Sequence, residues 1–153
     1  MFKNLKYWLD ESKDEKIILW AANAHIIRND KRLKGKDSDY SIIGIKKLGD
    51  YIFSEFPKEA YSIAISARTG KTLNYLNKRK TVKIGKNRTS SLEEMLKRHE
   101  FDFVDLKLFE DVMNLDEYES QLFYPNVKCT SKWSHHFNAI IFIDKMKPST
   151  PMW

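Results

Sequence analysis

The sequence has little cysteine, glycine and proline, and it has no long apolar run. A single cysteine, Cys129, excludes an intrachain disulfide and, with only 4 histidines, a cysteine-rich zinc site. The 5 glycines and 4 prolines leave few flexible stretches, and 42% hydrophobic residues are enough to bury a core. No apolar run approaches the ~20 residues that a membrane helix needs. We therefore predict one α/β domain over residues 1–153, with no membrane segment.

Positive charge exceeds negative charge, but it does not form blocks. There are 27 Lys and Arg residues against 21 Asp and Glu residues, which gives a formal net charge of +6. This balance permits binding to nucleic acid or to another acidic partner without establishing either. The N-terminal segment is charged every few residues and resembles neither a signal peptide nor a transit peptide. The expected location is therefore the cytoplasm.

Apolar periodicity predicts that helices and strands alternate along the chain. Helical spacing extends over residues 1–12, 41–56 and 91–100, and the third helix begins with the capping-box pair Ser91 and Glu94. Runs of strand-forming residues predict strands at 16–22, 61–67, 101–109 and 136–145. The first two runs do not alternate, which is typical of strands buried on both faces of a parallel sheet. We therefore predict an α/β fold in which a layered, mostly parallel sheet is flanked by helices.

Two motifs resemble ligand-binding sites, one for phosphate and one for a metal ion. The spacing of their residues argues against both interpretations. Gly70-Lys71-Thr72 follows a predicted strand as a phosphate-binding P-loop does, but Ile65 stands where that motif needs its first glycine. We interpret this segment as a basic turn. His135 and His136 are adjacent, and adjacent side chains on a strand point to opposite sides, so they cannot easily bind one metal ion. The sequence therefore predicts no metal site and no cofactor.

The end of the first predicted strand holds the strongest candidates for a functional site. The strand at 16–22 leads into Asn23 and His25, with the small residues Ala22 and Ala24 beside them. In α/β sheets, ligands gather at the carboxyl ends of strands. A histidine there can act as a general acid or base, and an asparagine can orient it or donate to a developing anion. The alternative is a structural histidine at a strand–loop junction, and spacing alone leaves this open.

Five segments of the chain, in order, resemble segments of the erythromycin esterase family. They are residues 1–11, 16–30 (KIILWAANAHIIRND), 45–70, 91–107 and 135–151. The second is similar to the family's strand motif WAHNxH, and the third to its helix with a Leu/Met-Gly pair followed by a strand and a glycine. Gly49 and Gly70 match these glycines. Family members are much longer than this chain, so the resemblance implies a C-terminal portion of a larger α/β fold.

The resemblance implies hydrolysis of a small-molecule ester, in particular a macrolide lactone, and with it antibiotic resistance. Asn23 and His25 carry over as the catalytic residues, with His25 activating a water molecule. Ala22 replaces the first histidine of the motif, and Asn138 replaces an aspartate of the last strand. The family's Gly-Glu-x-x-His segment, which holds its catalytic base, has no counterpart here.

We therefore expect the chain to be inactive or weakly active alone, and to form a homo-oligomer or bind a companion chain. A half-domain leaves a sheet edge or an apolar face that another chain can cover. The alternative is a non-enzymatic module that binds an acidic partner or nucleic acid. Nucleic acid is the less favoured partner, because most aromatic residues fall on predicted core faces.

Overall fold

The computed structural model describes residues 2–12, 15–35, 45–73, 80–85, 88–124 and 127–148. The helices in these ranges are α1 (Phe2–Glu11), α2 (Asn23–Ile26), α3 (Leu48–Glu55), α4 (Leu92–Arg98) and α5 (Leu106–Met113). The strands are β1 (Lys34–Gly35), β2 (Ile63–Leu73), β3 (Thr81–Lys83), β4 (Phe103–Asp105), β5 (Tyr118–Tyr124), β6 (Val127–Ser131) and β7 (Ala139–Met146). Among the described helices, none has the length and apolar character to cross a bilayer.

The strands form two sheets, one in the order β3-β2-β7-β4 and the other in the order β1-β6-β5. Strands β2 and β7 run parallel, with Ile65 opposite Ile141, and the other described strand pairs are antiparallel. Short connections favour antiparallel neighbours, and only two residues join β5 to β6. The mixed α/β fold is confirmed, whereas the mostly parallel sheet is not.

The core lies where the two sheets meet, and α4 packs against strands of both of them. The largest fully buried side chains include Trp133, Phe137, Ile27, Leu92, Leu96, Leu106, Leu122 and Ile140. Trp133 also satisfies its one polar group, because its indole N–H donates to the backbone carbonyl of Tyr118 at 2.9 Å. A single apolar cluster therefore joins α2, α4 and α5 to strands of both sheets.

Residues 16–22 form no strand, which makes this part of the sequence prediction wrong. Ile18 and Trp20 are 90% and 82% exposed, and no described strand pairs with this segment. An apolar run favours burial, but a strand also needs a neighbour for its N–H and C=O groups. The run that predicted a buried strand therefore lies on the surface of the described structure.

The other predicted elements are present with shifted boundaries. The helix predicted at 41–56 begins at Leu48 as α3, and residues 41–44 of that prediction lie outside the described part. The strand predicted at 101–109 ends at Asp105, whose carboxylate accepts the Leu108 N–H at 3.0 Å and caps α5. The strand therefore ends at the N-cap of α5, although the apolar run continues beyond it.

Gly49 brings α3 into close contact with the end of α2. A Cβ atom at Gly49 would overlap the carbonyl oxygen of Ile26, so Gly49→Ala forces two backbones apart. We expect this change to lower the free energy of unfolding by about 2 kcal/mol or more. Gly35→Ala is the matched control, since its Cβ would meet the Cys129 sulfur at an ordinary 3.7 Å. Urea denaturation measures both, and equal midpoints would contradict the expectation.

Candidate functional site

Asn23 fastens the two sheets to each other. Its side-chain N–H groups donate to the carbonyl oxygens of Ile65, at 2.7 Å, and Leu122, at 2.8 Å. Its side-chain oxygen accepts the Ile65 N–H at 3.1 Å. Ile65 belongs to β2 and Leu122 to β5, so one amide bridges two strands that lie in different sheets. Both amide donors are used, which leaves Asn23 none for a ligand.

His25 lies two residues further along α2 and is exposed. Side chains two residues apart on a helix do not face each other, so the described structure does not bring Asn23 and His25 together. Within the described residues, the His25 imidazole forms no hydrogen bond or ion pair with another side chain. Asn23 is therefore committed to structure, and His25 remains accessible from solvent.

Glu93 lies close to the same junction, although it comes from α4. Its Oε1 accepts three hydrogen bonds, from Ser66 Oγ at 2.8 Å, Ser120 Oγ at 2.7 Å and the Gln121 N–H at 3.0 Å. The side chain is fully buried, and Oε2 has no hydrogen-bond partner in the described part of the chain. This carboxylate holds β2 and β5 to α4.

The sequence prediction missed Glu93, because the capping-box pattern singled out Glu94 instead. The cap itself is present, since the Ser91 hydroxyl accepts the Glu94 N–H at 3.4 Å. The available signal was Ser66, a hydroxyl residue within the apolar run 61–67 that is predicted as a strand, whereas Ser120 lies in a segment of mixed polar and aromatic residues. Buried hydroxyls need a partner, so their presence indicates a buried acceptor.

Arg28 fixes the loop that follows α2. Its guanidinium donates to the carbonyl oxygens of Ser134 and His135 at 3.1 and 3.2 Å, and to Asn138 Oδ1 at 3.4 Å. It also lies 4.1 Å from the ring centroid of Phe53, a cation–π contact. Burial lowers the pKa of Arg28 from its ordinary value. The residue therefore orients the chain around α2 and is not directed at a ligand.

His136 is fully buried, whereas the adjacent His135 is exposed. The Nδ1 of His136 lies 2.7 Å from the carbonyl oxygen of Arg28, and its Nε2 lies 2.7 Å from Ser131 Oγ. A carbonyl oxygen only accepts, so Nδ1 carries the proton and Nε2 accepts the Ser131 hydroxyl. Burial lowers the pKa of His136 to about 4, which keeps the ring neutral at pH 7. In the residues described, no group of three His, Cys, Asp or Glu could hold a metal ion.

Two clefts on the described surface are lined by neither Asn23 nor His25. One has a volume of about 370 Å³ and lies between the turn at Asp30–Arg32 and the end of β6, beside His135. The other has a volume of about 380 Å³ and lies at the carboxyl ends of β2 and β7. The two predicted catalytic residues therefore lie outside both clefts.

Comparisons with known proteins agree with the fold described above. The sequence profile of the family described as erythromycin esterase matches residues 1–146. No curated protein matches the chain in a sequence comparison. Similar solved structures include a Bacillus cereus protein with 19% identity, which matches over 97% of this chain and 37% of its own, with a TM-score of 0.67.

Two further solved structures are similar to the same extent. A succinoglycan biosynthesis protein has 18% identity over 94% of this chain and 36% of its own, with a TM-score of 0.69. A histidine-to-asparagine mutant of the erythromycin esterase EreC, in its open conformation, has 13% identity over 94% of this chain and 35% of its own, with a TM-score of 0.66. Identities this low show a shared fold alone. The chain spans little more than a third of the length of these structures.

Proposed function

The chain belongs to the erythromycin esterase family, and from that premise we propose that it is the C-terminal portion of an esterase-type hydrolase. His25 is the catalytic residue that it contributes, and the substrate is a small-molecule ester or lactone. One observation carries the proposal: the family match includes the Asn-x-His motif, and the His25 imidazole is exposed within it.

Asn23 acts in this proposal as a positioning residue. It is the first residue of α2, and its three hydrogen bonds hold that helix against β2 and β5. His25 is on the same four-residue helix, so Asn23 sets where the imidazole stands. A donor role for Asn23 toward a developing anion would require breaking those bonds.

Catalysis by this chain alone is expected to be weak, because the His25 imidazole has no hydrogen-bond or ion-pair partner among the described residues. A general-base histidine works best when its second nitrogen is held by another group. No described carboxylate or histidine does so for His25. We propose that the orienting group comes from a companion polypeptide, or from a second copy of the chain. The exposed Ile18 and Trp20 are the surface such a partner would cover.

Ester hydrolysis by the isolated chain provides the test. We expect His25→Ala to reduce turnover of an activated ester and of a macrolide lactone to the uncatalysed rate, because it removes the base. Ala22→His, which restores the first histidine of the motif, is expected to raise turnover roughly tenfold or more. His99→Ala is the control, since His99 is an exposed histidine at the end of α4.

The outcome that would remove the enzymatic proposal for this chain is an equal, background-level rate in the wild type, Ala22→His and His25→Ala. Light scattering on the same samples tests association. A monomer at high concentration without aggregation would count against self-association.

The alternative function, a module that binds an acidic partner or nucleic acid, rests on exposed tryptophans and the net charge of +6. Trp8 is 61% exposed and Trp20 82%, so both could stack on bases. Trp133 is fully buried, and Trp153 lies outside the described residues. A mobility shift of a single-stranded oligonucleotide at low salt would favour this function, and no shift would remove it.

A further inference from the structure

Lysines cluster at the carboxyl ends of the parallel strands β2 and β7. Lys71 lies directly opposite Lys83 across the β2–β3 pair, and Thr69 lies opposite Lys145 across the β2–β7 pair. Side chains of directly opposed residues share a face of the sheet. Together with Lys147, these residues line the cleft of about 380 Å³, which is hereafter the lysine cleft.

The four lysines of this cleft form no ion pair with any described residue. Two other cations near β2 and β7, Arg68 and Lys97, are paired with carboxylates. Arg68 pairs with Asp144 at 2.6 Å and with Glu94 at 3.4 Å, and Lys97 pairs with Asp144 at 3.2 Å. Like charges directly opposite each other across two strands are destabilising. The lysine cleft therefore concentrates positive charge at a cost in stability that a bound anion would offset.

The other residues that line the cleft restrict the kinds of ligand that it can bind. Gly70 has a φ of 118°, which glycine adopts readily, and its backbone packs against that of Met146, so part of the cleft wall is main chain. The Thr69 hydroxyl already donates to the carbonyl oxygen of Asp144 at 2.9 Å. No aromatic residue and no arginine is among the described lining residues. The charged groups available to a ligand among the described lining residues are therefore the four lysine side chains.

We propose that the lysine cleft binds a compact polyanion carrying two or more phosphate groups, such as inorganic tripolyphosphate or the phosphate chain of a nucleotide. Ammonium groups bind phosphate as point charges, whereas planar recognition of a carboxylate favours arginine. The absence of an aromatic platform among the described lining residues disfavours recognition through a base. A cleft of this volume at the carboxyl ends of parallel strands is a common ligand position.

This site differs from the P-loop that the Gly70-Lys71-Thr72 sequence superficially resembles. Those residues lie inside β2, not at a turn into a helix, so side chains and not backbone amides would hold the phosphates. The lysine cleft shares no residue with the His25 site. A test of ligand binding in this cleft is therefore independent of a test of ester hydrolysis.

Isothermal titration calorimetry with sodium tripolyphosphate on the full chain tests this proposal. We expect saturable binding at about 50 mM NaCl that weakens as salt rises, together with a higher thermal midpoint of the complex. Lys71→Gln/Lys83→Gln should weaken binding roughly tenfold or more, because it removes two charge-assisted contacts. The matched control is Lys3→Gln/Lys107→Gln, which removes the same charge from α1 and α5 and should change the affinity less than about twofold.

Equal weakening in the two double variants would overturn the proposal, because it would show that only net charge matters. Undetectable binding of tripolyphosphate to the wild type would also overturn it. So would binding of a single-stranded oligonucleotide without tripolyphosphate binding, which would indicate a nucleic-acid surface. Lys145→Gln/Lys147→Gln provides a second variant, with the same expected loss, if the first does not fold. A circular dichroism melt of each ligand-free variant checks folding.

Discussion

Replacing Asn23 by alanine is expected to lower the free energy of unfolding by about 3 kcal/mol. The change removes the three hydrogen bonds that join α2 to β2 and β5. It leaves the N–H and C=O of Ile65 and the C=O of Leu122 without their side-chain partner. Each buried polar group left unpaired costs about 1–3 kcal/mol, and water entering this half-buried site reduces the sum. Urea denaturation of the variant and the wild type measures the difference.

His25→Ala is the matched control for this experiment, because it truncates an exposed neighbour on the same short helix. We expect it to change the free energy of unfolding by less than about 0.5 kcal/mol. Asn23→Asp separates hydrogen bonding from shape. A carboxylate can accept the Ile65 N–H but cannot donate to two carbonyl oxygens, so it should destabilise nearly as much as alanine. An Asn23→Ala variant as stable as His25→Ala would contradict the inference that the Asn23 hydrogen bonds hold α2 against β2 and β5.

The positions of Asn23 and His25 could be identified from the sequence, but their separate tasks could not. The break from an apolar run into small and polar residues is visible locally. The carbonyl groups that Asn23 satisfies are 42 and 99 residues away along the chain. One side chain can bind both carbonyl groups only because β2 and β5 approach each other in the tertiary structure. Local spacing predicts that a polar residue is there, and the packing of distant strands determines what it does.

The same distinction explains which strands were predicted correctly. The cores of β2 and β7 coincide with continuous apolar runs, and each of these strands finds the other as a parallel neighbour. Residues 16–22 have an equally apolar sequence, but no described strand pairs with them. The hydrophobicity of a segment indicates how strongly its burial is favoured. It does not indicate which other strand can pair with the backbone N–H and C=O groups of that segment. Glu93 shows the converse, since an acidic side chain is buried where three donors surround one of its oxygens.

Loss of stability in mild acid is the second large effect that we expect, and it originates at His136. Burial lowers the pKa of this residue to about 4, against about 6.5 in an unfolded chain. Between these values the unfolded state binds a proton that the folded state does not. The contribution of His136 to the free energy of unfolding therefore has its full value above about pH 6.5 and decreases as the pH falls toward 4. The difference corresponds to about 3 kcal/mol.

Denaturation midpoints across this pH range, compared between variants, isolate the contribution of His136. His136→Gln retains a donor for the Arg28 carbonyl oxygen and an acceptor for the Ser131 hydroxyl, but it does not titrate. It should be less stable than the wild type near neutral pH, and the two curves should converge in acid. His135→Gln removes the exposed neighbour and should keep the wild-type slope. Acidic side chains titrate in every variant alike, so parallel curves for His136→Gln and the wild type would contradict a buried, neutral imidazole at this position.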